Sequence, residues 1–273
     1  MSINIISDSG CDLNNEIRKK LNLSIVPLTI ELNNNEFLDD CNLNIKKFIN
    51  SMKKSPSAPK TASPSPIKFI NNFNKSDTNF VVTLSSKISS TYNNAILAKD
   101  NDNSSVHIFD SLSASVGETL VCLKINELYN KNITTTNIIK KVNDYINEME
   151  TFFLLDSLDN LIKSGRVNKI KGKLASILSI RPIMGATEEG TIKLIEKARG
   201  KKKSFKRLID LIGEKGDNLE EKVLGIAHCN CIDKAKKLKK EAIIKYNFKD
   251  VIIVKMGGVI SSYADENGIL IAF

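Results

Sequence analysis

Phe80-Val81-Val82-Thr83-Leu84, followed by Ser85-Ser86-Lys87-Ile88-Ser89-Ser90-Thr91, decides how the chain is read. The first five residues are an apolar, β-branched and aromatic run of strand length. Five of the next seven carry hydroxyls and interrupt that run, and a helical pattern follows over 90–99. Strand, hydroxyl-rich loop and helix in that order make half of a βαβ unit. The same order recurs at 106–109, where Asp110-Ser111-Leu112-Ser113-Ala114-Ser115-Val116-Gly117 leads into a helix over 115–130. It also opens the chain: a strand over 3–7, the turn Ser7-Asp8-Ser9-Gly10, and a helix to Leu21 that Asp12 is placed to N-cap. A strand over 24–32 ends in Asn33-Asn34-Asn35, which is turn material, and a further helix covers 136–148. The alternation predicts an α/β fold.

Near residue 150 the pattern changes. Residues 151–155 look extended, and Leu158, Leu161 and Ile162 share a helical face that stops at Gly165. A short helix is predicted over 172–180, halted by Pro182. A strand over 191–195 and an amphipathic helix over 204–212, ended by Gly213, come next. Strands at 223–227, 251–254 and 269–273 surround a lysine-rich helix over 233–245. The division expected is an N-terminal α/β domain over 1–149 and a C-terminal α+β domain over 150–273.

Bulk composition excludes several classes. The chain has 273 residues with 41% hydrophobic content, enough for a substantial core. Its five cysteines are odd in number and scattered, which argues for a reducing compartment rather than a disulfide framework. Cys229 and Cys231 form a lone C-x-C without the second pair a structural metal site requires. No basic leader and no membrane-length apolar window is visible, so a cytoplasmic protein without integral membrane association is expected. The net charge of +9 is concentrated: residues 163–207 hold 14 Lys/Arg against 3 acids. Such a segment is either a solvated lysine face or a docking surface for an anionic partner.

Catalytic machinery is hard to find. There is no G-x-x-x-x-G-K-[ST] loop and no G-x-G-x-x-G. His107 lies inside an apolar strand; His228 lies at a strand end, but sequence does not pair it with a serine. By contrast, 60–66 and the two hydroxyl loops above fall where open α/β sheets bind ligands, beyond strand ends and before helices. Each loop alone reads as ordinary caps and turns; three together point to a binding site for an anion.

In order, Ser7-Asp8-Ser9 with Asp12-Leu13, Val26-Pro27-Leu28, Thr61-Ala62-Ser63-Pro64-Ser65, Ser85 to Tyr92, and Asp110-Ser111 with Ser115 and Gly117 resemble the DegV family. So do Leu158 to Leu161 with Gly165-Arg166, Arg199-Gly200-Lys201-Lys202-Lys203, and Gly258-Val259-Ile260 with the ending Ile271-Ala272-Phe273. The resemblance spans the chain. It implies a two-domain fatty-acid binder with the lipid between the domains, in a family where several members are the acyl-binding subunit of bacterial fatty acid kinase. The expected partners are a long-chain fatty acid and a separate ATP-using kinase subunit that forms an acyl phosphate; the chain itself would be non-catalytic and need no cofactor.

Carried over by motif, Thr61 and Ser89, with Ser90 and Thr91 beside them, would hold the lipid carboxylate. Tyr263 falls where the family's G-T-H-T-G-P-G has its histidine. A phenol donates a hydrogen bond but does not become cationic. Ser63, Ser115 and Ile260 would line the pocket, and Arg166, Arg199, Lys201 and Lys202 would face the kinase. Ser90 replaces the glycine of the family's S-G-T. Three competing readings remain: lipid storage or sensing without a kinase, nucleic-acid binding through 163–207, and a hydrolase using Ser89 and His228. Nucleic-acid binding is poorly supported, since Phe205 is the one aromatic in that segment.

Overall fold

The computed structural model describes residues 2–75, 77–167 and 180–273. The first half runs through β1 (Ile3–Asp8), α1 (Asn15–Leu21), β2 (Ser24–Val26), β3 (Thr29–Leu32), β4 (Asn35–Leu38), α2 (Ile45–Lys54), β5 (Lys60–Ala62) and α3 (Pro66–Ile70). It continues with β6 (Thr78–Thr83), α4 (Thr91–Asp100), β7 (Val106–Asp110), α5 (Val116–Asn130) and α6 (Thr135–Glu148). The second half holds β8 (Thr151–Leu154), α7 (Asp159–Lys163), β9 (Ile180–Ala186), β10 (Ile192–Arg199), α8 (Lys201–Lys215) and β11 (Val223–His228). It closes with α9 (Ile232–Lys245), β12 (Asp250–Lys255), α10 (Gly258–Ala264) and β13 (Ile269–Ala272).

The strands form three sheets. β2-β1-β6-β7 is parallel throughout, as the βα units require. β4-β3-β5 is a small antiparallel sheet. The six-stranded sheet β10-β9-β8-β13-β11-β12 is mixed, with β11 and β12 its one parallel pair. Among the described residues no sheet combines strands from before and after residue 150. The fold is α/β with one parallel and one mixed sheet.

Several local expectations change. The predicted strand over 24–32 divides at Pro27, and Asn33 and Asn34, at φ 53° and 61°, turn the chain into β4. α1 is capped by Asn14, whose side chain accepts from Ile17 N, and not by Asp12. α2, α3 and α10 were not anticipated. Pro182 lies within β9, opposite Lys197 of β10 and beyond the residues that pair with β8. The helix predicted over 172–180 falls almost wholly outside the described residues; Ile180 is strand. α8 continues through Gly213, where a Cβ would come within 2.5 Å of the Tyr246 ring, and ends before Gly216.

The inner strands β8, β13 and β11 of the mixed sheet are buried on both faces, which is why they are apolar without alternation. Phe152, Leu154, Ile269 and Ile271 face α8 and α9, where Leu208, Ile212 and Leu238 cover them. Their neighbours Phe153, Leu155, Leu270 and Ala272 face the other way, into a core shared with Phe80, Val82, Leu84 and Leu120 of the first half. Those two layers meet around α10.

α10 is tied to the first half by its N-terminus. Asp39 accepts from Gly258 N (2.7 Å) and Val259 N (2.9 Å), and Asp12 accepts from Gly257 N (2.6 Å). Both carboxylates are buried. The approach is close enough to require glycine at 258: a Cβ there would sit 2.7 Å from Asp39 Oδ1 and from Ile30 Cδ1, and would also strike Leu43. Gly258→Ala is therefore expected to lower the urea midpoint by about 1–3 kcal/mol of stability without changing the slope of the transition. An unchanged midpoint would show that this junction yields freely.

Candidate functional site

A cavity of about 100 Å3, partly open to solvent, lies between the mixed sheet and the first half of the chain. Thirteen of its seventeen lining residues are apolar, so it suits a hydrocarbon body. Leu28, Leu84 and Ala114 come from the first half. Phe153, Leu155, Leu161, Ile192 and Leu270 come from the second, with Met256, Val259, Ile260 and Ala264 from in and around α10. Ile260, expected as a pocket residue, is among these lining residues.

The four polar lining residues are Thr61, Ser89, Arg166 and Tyr263. Thr61, on β5, bonds the Tyr263 hydroxyl at 2.6 Å, so β5 and α10 meet across the two halves of the chain. Arg166 lies just after the left-handed Gly165 (φ 80°) that ends the α7 turn. Its Nη2 donates to Thr61 Oγ1 (3.4 Å), and its Cζ stands 4.8 Å from the centre of the Tyr263 ring. Ser89 belongs to the loop after β6, which is pinned where Ser86 N donates to Asp110 Oδ1 (3.0 Å) and Ser85 Oγ donates to the Gly190 carbonyl (2.8 Å).

Outside these residues the polar end widens into a mouth that Thr61, Ser89 and Arg166 share with Ser63, Ser86, Lys87, Ile88, Ser90 and Asn93. Ser90 stands at φ −79°, ψ 3°, open to any L residue, so the missing glycine introduces no backbone strain. Its hydroxyl bonds Ser63 Oγ at 2.6 Å. Ser63 therefore borders the mouth rather than the apolar cavity. Thr91 is fully buried and bonds Ser89 at 2.8 Å, holding that hydroxyl rather than facing the space itself.

Two site expectations are corrected by position. Ser115 does not line the cavity: it is fully buried, at the strained φ 62°, ψ −127°, and its hydroxyl donates to Asp12 (2.5 Å). Arg166 was assigned to partner docking, yet it lines the cavity as well as the mouth. Arg199 is exposed at the end of β10. Lys201 and Lys202 border a broad groove between α8 and α9 with Arg181, Lys206, Lys234 and Lys237. The basic segment is not one positive face, since Arg207 is held by Glu196 and Glu214 at 2.7 and 2.8 Å.

His228 lines neither cavity nor mouth; its Nδ1 accepts from Cys231 N (3.2 Å), and burial lowers its pKa. Burial pushes the Cys229 thiol up to about 12, far from a reactive thiolate. Among the described residues no helix is long and apolar enough to cross a membrane.

Fold and cavity together define an α/β protein with an internal, mostly apolar chamber closed at one end by hydroxyls and a guanidinium. A model of the DegV family matches residues 2–273, and the chain belongs to that family. It is 34% identical to a DegV domain-containing protein of Streptococcus pyogenes serotype M18, covering 100% of this chain and 99% of that one. A DegV family crystal structure from Ruminococcus gnavus with vaccenic acid superposes with a TM-score of 0.94 at 34% identity, over 100% of this chain and 99% of the other. The Fatty Acid Kinase (Fak) B3 protein of Streptococcus pneumoniae, loaded with linoleic acid, gives 0.90 at 30% identity over 100% and 99%.

Beneath the chamber lies a cluster of buried acids that sequence reasoning did not connect with it. Burial pushes Asp8 up to about 7 and Asp12 up to about 8, and raises Asp39 and Glu118 as well. A carboxyl raised on folding holds its proton more tightly folded than unfolded. Its contribution to stability is full below the unfolded value near 4 and is lost as pH rises through the folded value near 8. Asp12→Asn is expected to flatten the decline of the urea midpoint between pH 5 and 8. A decline of the same steepness in that variant would show that Asp12 does not carry it.

Proposed function

We propose that this protein binds one long-chain fatty acid in the chamber and presents its carboxyl group to a separate ATP-using kinase subunit for acyl phosphate formation. The observation that carries the reading is the chamber itself: apolar walls ending in Thr61, Ser89, Arg166 and Tyr263. Fatty acids are the ligands named for the Ruminococcus gnavus and Streptococcus pneumoniae relatives, and the latter is named as a kinase component. On this reading 1–149 and 150–273 act as two domains with the lipid between them.

The energetics divide between tail and head. At ~0.8 kcal/mol per buried methylene, a chain of about fifteen gains on the order of 12 kcal/mol before ordering costs. Hydroxyls at the polar end then set where the carboxyl sits. Arg199, Lys201 and Lys202 are exposed and suit an acidic partner surface. Among the described residues no histidine, cysteine or carboxylate lines the chamber, which supports binding rather than turnover by the chain itself.

Denaturing solvent extraction followed by mass spectrometry is expected to release one long-chain fatty acid per chain. Thr61→Ala or Ser89→Ala should weaken uptake by about 1–3 kcal/mol with the fold intact. Replacing Arg199, Lys201 and Lys202 together should lower acyl phosphate yield with the kinase while leaving lipid uptake unchanged. Lipid-binding protein that no kinase uses would favour storage or sensing instead; competent protein that takes up no lipid would end the fatty-acid reading.

A further inference from the structure

At about 100 Å3 the chamber is smaller than the ~300–1,000 Å3 of most small-molecule sites, so taking up a long acyl chain requires one wall to yield. The walls differ in how firmly they are held. α10 is tied to the first half by three backbone N–H groups on two buried carboxylates. β8 and β13, which carry Phe153 and Leu270, are inner strands paired on both sides. The wall at Ile192 has neither support.

Ile192 begins β10, the outermost strand of the mixed sheet, whose one neighbour among the described strands is β9. Every residue of β10 except Ala198 is at least partly exposed. The turn before it is closed by its own bonds: Thr187 N donates to the Thr191 carbonyl (2.8 Å), Thr191 N donates to Thr187 Oγ1 (3.0 Å), and the two hydroxyls bond at 2.9 Å. Such a turn can move without losing its internal bonds. The β9–β10 register shifts between Leu194 and Glu196, which places a bulge just behind the turn, where a strand bends most readily.

Among the described residues one hydrogen bond joins 180–199 to the first half, from Ser85 Oγ to the Gly190 carbonyl (2.8 Å). Gly190 is buried while Glu188 and Glu189 beside it are exposed, and a Cβ at 190 would come within 2.3 Å of Ser85 Oγ. The remaining hold is apolar, through Ile192 and Leu194 against the shared core. A single neutral hydrogen bond contributes only ~0.5–1.5 kcal/mol net. Ser85 is thus a weak latch on the least supported wall.

We propose that residues 187–192 form a flap, latched by Ser85, that lifts to pass the acyl chain between solvent and the chamber. The inference rests on the fatty-acid reading and adds to it a route for the tail that is separate from the polar mouth. The latch is made with or without lipid. Breaking it therefore speeds entry and exit together and leaves equilibrium affinity where it was.

The test uses the full-length chain, stripped of lipid, with cis-parinaric acid as the fluorescent probe and serum albumin as the sink in stopped flow. Ser85 lines neither the chamber nor the mouth. Ser85→Ala is expected to raise the association and release rates by about 2- to 10-fold each, with Kd changed less than about 2-fold. Ser85→Cys combined with Gly190→Cys provides the converse. A Cβ at 190 would lie 3.2 Å from that of Ser85, near the ~3.5–4.5 Å of a disulfide. Oxidation of this pair should abolish rapid exchange, and dithiothreitol should restore it. Unchanged rates in Ser85→Ala would overturn the proposal, as would an oxidised pair that exchanges lipid as fast as the reduced one. A weaker Kd carried by release alone would overturn it too, because it would make Ser85 part of the binding wall. Wild-type protein that takes up no parinaric acid would instead overturn the fatty-acid reading on which the inference stands. Gly190 stands at φ 82°, which strains any side chain there, so Ser85→Ala decides the matter where urea midpoints show that the double variant does not fold.

Discussion

Three successive backbone N–H groups, on Gly257, Gly258 and Val259, are held by two buried carboxylates that lie more than two hundred residues earlier in the chain. The helix they begin, α10, has seven residues, too few to persist by its own hydrogen bonds. It contributes Val259, Ile260, Tyr263 and Ala264 to the chamber wall and carries the phenol that meets Thr61. Asp12 and Asp39 thus set where one side of the chamber stands relative to the other. They do so from an acid-rich interior in which burial dominates their ionisation, so the donors around each carboxyl matter more than net charge.

The chamber also depends on the mixed sheet having two buried faces. Phe152 and Leu154 pack under α8 and α9 and make that side dense. Phe153, Leu155 and Leu270 point to the opposite side, where they both join the shared core and line the chamber. A cavity persists there because its walls come from two layers joined through α10 and the β5 contact, rather than from one layer free to collapse. The same arrangement gives an amphiphile two environments within one space: strand and helix side chains along the body, and loop hydroxyls at the end.

What could be read from the sequence was what is local. The βα units around 80–99 and 106–130 are self-contained patterns of strand, hydroxyl loop and helix, and the structure has them at nearly those positions. Asp12 was misread as a helix cap because capping preferences describe near neighbours, while its partners are Ser115 and Gly257. α10 escaped notice because two glycines and two serines argue against a helix whose start is capped from elsewhere in the chain. α2 was legible, with Ile45, Phe48, Ile49 and Met52 at helical spacing, but lysines and asparagines obscured it. Charge counting failed for Arg166 and Arg207 alike. A sum over a segment records neither the Tyr263 ring beneath one guanidinium nor the two glutamates around the other.

Tyr263 bears on whether such a site can release what it holds. Its hydroxyl keeps Thr61 Oγ1 at 2.6 Å, and its ring supports the guanidinium from below, so neither contact requires the ligand. Arg166 also retains two carbonyl acceptors, of Ile88 and Ser164, within the protein. On the proposed reading, a departing carboxylate would leave the guanidinium with these neutral partners rather than bare. Retention would then rest on the hydrocarbon, whose burial is not directional, and the polar end would serve orientation.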